Sequence, residues 1–294
     1  MSKSIVTGGC GFIGSHLVKR LVSLGHEVIV LDRVKPNNPC EGATYYLQDI
    51  SENYSKYIHL FDSVNNVFHL ASDVSIPYCV EKPNESMYNN IVSSMNVLEC
   101  SRVHNIDKFI LSSTSAVYGN TLFNPNYEHQ HVQCLNTYSI SKYSAEQLCQ
   151  MYYNLYGLKT VIFRYFNVYG EGQHKTGQYA PVMSIFKRQR DNKEPLTVVE
   201  PGYQTRDFIH VNDIVHANIL ASQKDLDKYG EVFNVGTGEG TDIQTIADLI
   251  SDYQTSVPQR SGEVLHSKAN TDKIKETLNW NYKIKVIDWI KKQF

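Results

Sequence analysis

The chain has 294 residues, with 28 Lys and Arg against 30 Asp and Glu and a formal net charge of −2. That length buries a large core, as one big α/β domain or a large domain with a smaller lobe, and the charge balance excludes the basic field of a nucleic-acid binder. No apolar run approaches the length of a membrane span, and MSKSIVTGG enters a strand without room for a signal peptide.

The six cysteines (Cys10, Cys40, Cys79, Cys100, Cys134, Cys149) form no CxxC pair, and the eleven histidines form no HExxH. They read as reduced thiols of a cytoplasmic protein without a metal centre or disulfide framework.

In chain order, SIVTG is a β-rich run that enters a glycine turn. A helix follows over 15–24, then the strand EVIVLD ending at Asp32. NVFHLA is the next strand, followed by a helix around 86–105. KFILSS, a helix over 139–156 and KTVIFRYFN complete the series. Strands alternating with helices predict a parallel sheet covered on both faces, with right-handed crossovers. After Gly170 the pattern changes. GEGQHKTGQYAP reads as a loop, a helix lies near 182–189, PLTVVEPG is a short strand with a turn, and FNVGTG and C-terminal helices follow. The expected fold class is α/β: a Rossmann-type, doubly wound sheet over 1–169 with a smaller substrate-binding lobe over 170–294. Segments after Arg206 are free to return to the first domain.

The first turn contains Gly9-x-Gly11-x-x-Gly14 and, equally, Gly8-x-x-Gly11-x-x-Gly14. Glycines let a backbone take positive φ and approach a pyrophosphate closely. The helix beginning near Phe12 aims its N–H groups and positive dipole end at the same place. Glycine turns also serve structure alone, but here the next strand ends in Asp32, at about the 20-residue spacing of a ribose-binding carboxylate. A carboxylate there accepts from both ribose hydroxyls and repels the extra phosphate of NADP, which points to NAD. Arg33, next door, offers the opposite charge.

LSSTSAVYG sets Ser112, Ser113 and Thr114 at the carboxyl end of a strand, the ligand-binding edge of an open α/β sheet. TYSISK supplies Tyr138 and Lys142, four apart and so on one helix face. An ammonium beside a phenol lowers the phenol's pKa, as does the positive nicotinamide. A tyrosine that ordinarily titrates near about 10 then serves as a base near neutrality. Thr114 would hold the substrate oxygen and pass the proton. Tyr-x-x-x-Lys also arises by chance in a chain with 20 tyrosines; its position after the glycine turn and the hydroxyl-rich strand end singles it out.

Together, TGGCGFIGSHL, VFHLAS, LSSTSAVYG, YSISK, RYFNVYG and QTRDFIHVNDIV resemble the extended short-chain dehydrogenase/reductase family, and within it the nucleotide-sugar 4-epimerases, from about residue 5 to residue 280. The resemblance implies a set of roles. Gly8, Gly11, Phe12, Ile13 and Gly14 would hold the cofactor pyrophosphate, with Lys82 and Asn90 near it. Asp49 and Ile50 would border the adenine. Leu70, Ala71, Ser112 and Tyr165 would line the nicotinamide side. Asn167, Arg206 and Arg260 would bind the phosphates of a UDP-sugar, as guanidinium forks suit phosphate oxygens. It also implies a homodimer through the helices near 86–105 and 139–156, where Met151, Tyr152 and Tyr153 offer apolar surface.

Family members that dehydrate or decarboxylate the 4-keto sugar carry acidic residues just before VYG. Here Ser115 and Ala116 stand there, leaving 4-epimerisation, with NAD held through turnover. Ser267 aligns with the family's gate beside the sugar C2 substituent, and a small residue admits an N-acetyl group. That favours UDP-GlcNAc/UDP-GalNAc, with UDP-Glc/UDP-Gal alongside; a one-residue slip would put His266 or Lys268 at the gate. Glu200 and Tyr203, in EPGYQTRDF, depart from the commoner family pattern, and several loops are trimmed. The alternatives are a UDP-glucuronate 4-epimerase, a net nucleotide-sugar oxidoreductase and a non-catalytic NAD-binding sensor.

Overall fold

A computed structural model of the chain describes residues 2–173, 181–259 and 264–294. The strands are, in order, β1 (Lys3–Thr7), β2 (Glu27–Asp32), β3 (Ala43–Leu47), β4 (Asn66–His69), β5 (Lys108–Thr114), β6 (Thr160–Tyr165) and β7 (Asn167–Tyr169). Then come β8 (Leu196–Val199), β9 (Thr205–Arg206), β10 (Phe208–His210), β11 (Glu231–Val235), β12 (Thr241–Asp242), β13 (Gln254–Val257) and β14 (His266–Ser267). The α-helices are α1 (Phe12–Ser23), α2 (Ile76–Glu81), α3 (Pro83–Val103), α4 (Thr137–Tyr156), α5 (Val182–Asp191), α6 (Val211–Gln223), α7 (Ile243–Ile250), α8 (Asp272–Leu278) and α9 (Val286–Gln293).

The chain forms two compact units, each assembled from separated segments. The first comprises Met1–Val117, Cys134–Arg164 and Val215–Phe233; the second comprises Tyr118–Gln133, Tyr165–Ile214 and Asn234–Phe294. Where the sequence reading divides 1–169 from 170–294, the stretch 118–133 joins the second unit and the stretch 215–233 joins the first.

The first unit carries a seven-stranded sheet in the order β11-β6-β5-β4-β1-β2-β3. The pairings from β3 across to β5 are parallel. Every residue of β4 and of β6 is buried, which is why these strands read as continuous apolar runs rather than alternating ones. Ile5, Val67, Phe109, Leu111 and Ile162 form the centre of its core, with Leu98 of α3 and Ala145 of α4 packed among them. The order of strands reverses between β1 and β4. In a doubly wound sheet, ligands bind at the carboxyl ends of such a pair, so both the glycine turn after β1 and Leu70–Ala71 after β4 lie at that edge.

Two elements call for comment. The first helix starts at Phe12, where the glycine turn places it and ahead of the 15–24 read from periodicity, because Gly11 takes an extended conformation and caps it. The edge strand β3 had no counterpart in the reading. Its ATYYL has no fully buried residue, so it lacks the apolar signal that marks its neighbours.

The second unit holds three small sheets, β10-β7, β12-β9-β14 and β13-β8. Its core joins Tyr169, Phe186, Leu196, Phe208, Ile246 and Ile290. Asp213, at the start of α6, anchors the C-terminal segment: its carboxylate accepts from the N–H groups of Lys283 (3.0 Å) and Ile284 (3.1 Å), and its carbonyl from the Trp280 indole (3.1 Å).

Candidate active site

The cofactor turn is defined by contacts only glycine can make. Gly8 has φ +70° and a Cβ there would lie 2.7 Å from the Ala71 nitrogen; a Cβ on Gly14 would lie 2.2 Å from the Gly8 carbonyl oxygen. Both distances are below any real contact, so the turn, the start of α1 and the end of β4 pack backbone to backbone. No side chain caps α1. The first-turn N–H groups, at Phe12 and Ile13, are therefore presented as an anion site. The turn fits a dinucleotide pyrophosphate.

Asp32 Oδ2 accepts from the Cys10 N–H at 2.9 Å and Oδ1 from the Val34 N–H at 3.1 Å. Each oxygen has a second lone pair for a ribose hydroxyl. Burial and the neighbouring Asp32 push the Cys10 thiol up to about 12. Arg33 pairs with Asp73, whose carboxylate is almost fully buried. Asp49 is held by Ser51, whose N–H (2.9 Å) and hydroxyl (2.7 Å) donate to it. Ile50 is a core residue; its carbonyl accepts from Tyr57 (2.8 Å) and Asn96 (3.0 Å).

The N–H groups of Leu70 and Ala71 donate to the Thr7 carbonyl and hydroxyl, each at 3.2 Å. Lys82 is exposed at the junction of α2 and α3. Asn90 is buried and its amide is already engaged. Its nitrogen donates to the Asp73 carbonyl (3.1 Å) and to Ser141 (2.9 Å), and its oxygen accepts from the Asp73 N–H (2.7 Å). It thus ties the segment after β4 to α4. Asp73 and Ser141 escaped the sequence reading, for no motif marks them.

Asn136 and Ser139 form a reciprocal capping box that fixes the start of α4. This sets Tyr138 in the first turn and Lys142 one turn on. β5 ends at Thr114, with Ser112 and Thr114 half-buried and Ser113 buried. The Thr114 hydroxyl lies close enough to the Tyr138 phenol to favour its ionised form, and it accepts from the Ala116 N–H at 3.1 Å. The structure thus sets Thr114 near Tyr138 within one unit, with Lys142 one turn further along α4.

In the protein alone, burial dominates the electrostatics of the pair. The Tyr138 phenol is pushed up to about 12, because burial outweighs the opposing effect of Thr114. Lys142 comes down to about 8, chiefly through burial, against the opposing pull of Glu146 and Cys149. The protein alone therefore holds a neutral phenol; lowering it needs the additional positive charge of a bound cofactor. His69 is buried beside them. Burial and Lys142 press it down to about 3, so it is neutral, bridging Thr7 (2.8 Å) and Ser94 (3.0 Å).

In the second unit, β14 pairs with β9 so that Ser267 lies opposite Arg206, which puts their side chains on one face of that small sheet. Arg206 Nη1 donates to the carbonyls of Thr205 (2.9 Å) and Leu265 (3.3 Å). Asp207 locks this sheet. It accepts from Thr237 N–H (2.7 Å) and hydroxyl (2.7 Å), Gly238 N–H (2.9 Å) and Ala269 N–H (3.1 Å). Its carbonyl takes the Asn167 N–H at 2.9 Å. Tyr165 is buried, Asn167 exposed and Tyr203 largely exposed. Arg260 lies outside the described residues. Among the described residues no group of three or more His, Cys, Asp or Glu is placed to hold a metal ion, and no helix is long and apolar enough to cross a membrane.

Sheet order and glycine turn are those of a dinucleotide-dependent enzyme. The chain belongs to the NAD dependent epimerase/dehydratase family, whose model matches residues 4–236. It is similar to the crystal structure of UDP-glucose 4-epimerase from Thermotoga maritima with UDP-glucose, at 34% identity and TM-score 0.93, over 98% of this chain and 96% of that one. It is also similar to UDP-N-acetylglucosamine 4-epimerase from Methanobrevibacter ruminantium M1 in complex with UDP-N-acetylmuramic acid, at 31% identity and TM-score 0.92, over 99% and 96%. A UDP-N-acetyl-alpha-D-glucosaminuronate decarboxylase of Bacillus cytotoxicus is 30% identical over 98% of both chains.

Proposed function

We propose that the protein interconverts UDP-GlcNAc and UDP-GalNAc by 4-epimerisation through a 4-keto sugar, accepting UDP-Glc and UDP-Gal as well. One observation carries the choice among the family's reactions. After Thr114 the chain continues with Ser115 and Ala116, neither of which can act as a carboxylic acid. Dehydration would need an acid to expel the 6-hydroxyl, and decarboxylating relatives carry a glutamate there; this chain has neither. The two 4-epimerases of similar structure favour the same reading.

The chemistry NAD supplies when bound is reversible acceptance of a hydride. In this reading the Tyr138 oxygen takes the proton of the sugar 4-hydroxyl, with Thr114 holding both oxygens in line, and gives it back after the keto sugar has turned over. Lys142 supplies positive charge beside the phenol. Gly8, Gly11, Phe12, Ile13 and Gly14 cradle the cofactor pyrophosphate, and Asp32 takes the ribose hydroxyls. Arg206, Arg260 and Asn167 hold the substrate phosphates, and Ser267 leaves room for the C2 acetamide. The pairing of Ser267 with Arg206 supports the last assignment, since it brings gate and clamp side by side. A homodimer in the cytoplasm completes the proposal.

The test is incubation of the purified protein with UDP-GlcNAc and, separately, UDP-Glc without added NAD, followed by NMR of the products. Appearance of the galacto-epimers is the expected result. Turnover that depends on added cofactor would instead indicate a net oxidoreductase.

A further inference from the structure

The first unit contains a buried charge that the proposed chemistry does not use. Glu146 lies on α4 one turn beyond Lys142, and its side chain is fully buried. Three donors grip it. Arg164 of β6 forks onto it, Nε to Oε1 at 3.0 Å and Nη2 to Oε2 at 2.7 Å, and its guanidinium is itself almost entirely buried. The Ser113 hydroxyl donates to Oε1. Ser113 stands between Ser112 and Thr114, on the strand end that carries the site.

A buried ion pair is a poor device for stability. The desolvation of both charges is large, and an apolar pair of the same volume often does as well. What it can do is set a local field. The groups around Lys142 are few. Tyr138, Glu146 and Cys149 share its helix, and His69 approaches from β4. His69 is neutral and burial pushes the Cys149 thiol well above its ordinary range. Glu146 is then the anion among them.

We propose that Glu146, clamped by Arg164 and Ser113, is a positioning residue for the catalytic pair. It is the buried counter-charge that keeps the Lys142 ammonium protonated beside Tyr138 at working pH. The helical spacing from Lys142, the bidentate grip and the total burial carry the inference. The direction of its effect on Lys142, raising it against burial, agrees. The inference rests on reading Tyr138 and Lys142 as the catalytic pair.

The test follows Lys142 directly, with no need of sugar or cofactor. Protein labelled with 13C at lysine Cε is titrated by NMR, the Lys142 signal being identified by its loss in Lys142→Arg. The double variant Glu146→Gln/Arg164→Met removes both charges while keeping the packing. In it the Lys142 midpoint should fall by about one pH unit or more, and the alkaline limb of kcat on UDP-GlcNAc should move down with it. Glu146→Asp keeps the charge and should titrate between that variant and the wild type; it also provides the reading should the double variant not fold. A Lys142 midpoint equal to the wild-type value in a folded variant would overturn the proposal, whatever happened to Tm. A wild type that turns over no UDP-sugar while Lys142 still responds to Glu146 would instead count against 4-epimerisation alone.

Discussion

At the scale of single residues, the site is a balance between burial and charge. Tyr138 is too protonated to act alone, and Lys142 holds its proton only up to about pH 8. Lys142 is charged below that value and neutral above it, so activity that needs the ammonium should fall as pH rises through the region near 8. Lys142→Met should remove that alkaline limb from the kcat profile and lower kcat at every pH. Tyr138→Phe should cost about 10²–10⁴-fold in kcat, the range of a lost general base, with thermal stability nearly unchanged. Ser267→Tyr belongs to the same scale. It should abolish turnover of N-acetylated sugars and spare UDP-Glc, as read by NMR of each reaction; equal loss on both would place the gate elsewhere.

At the scale of elements, the glycine turn and the capped start of α4 do the positioning. Gly14→Ala would drive a methyl to 2.2 Å from the Gly8 carbonyl oxygen, so the turn must open. Overpacking of this kind costs about 1–3 kcal/mol. The variant should melt lower and come through purification with less bound nucleotide than the wild type, measured by extraction and chromatography. These elements were legible because their chemistry is local. Glycines crowd between a strand and a helix, Asp32 closes the next strand, and Tyr-x-x-x-Lys falls on one helix face. β9 and β14 were not legible, since two-residue strands carry no periodicity and their pairing depends on Asp207 gathering donors from 237, 238 and 269. Asn90 could be picked out as a position, but not its work of joining Asp73 to Ser141. That needs the third dimension.

At the scale of the whole molecule, the alternation of strands and helices made the doubly wound sheet readable from β2 across to β6, though not its two edge strands β3 and β11. The path of the chain between the two units was not. The stretch 118–133 belongs to the second unit because Asn126 exchanges backbone hydrogen bonds with Lys268 and Asn270 (2.7 and 2.8 Å), at a sequence distance no motif spans. In the proposed reaction, hydride leaves the sugar C4 and returns to the same carbon. The most direct measurement is the reaction of UDP-GlcNAc deuterated at C4, without added NAD, with the product read by 1H and 2H NMR. The expected product is UDP-GalNAc with deuterium retained at C4. Deuterium at C6, or lost to a pool of added cofactor, would contradict it.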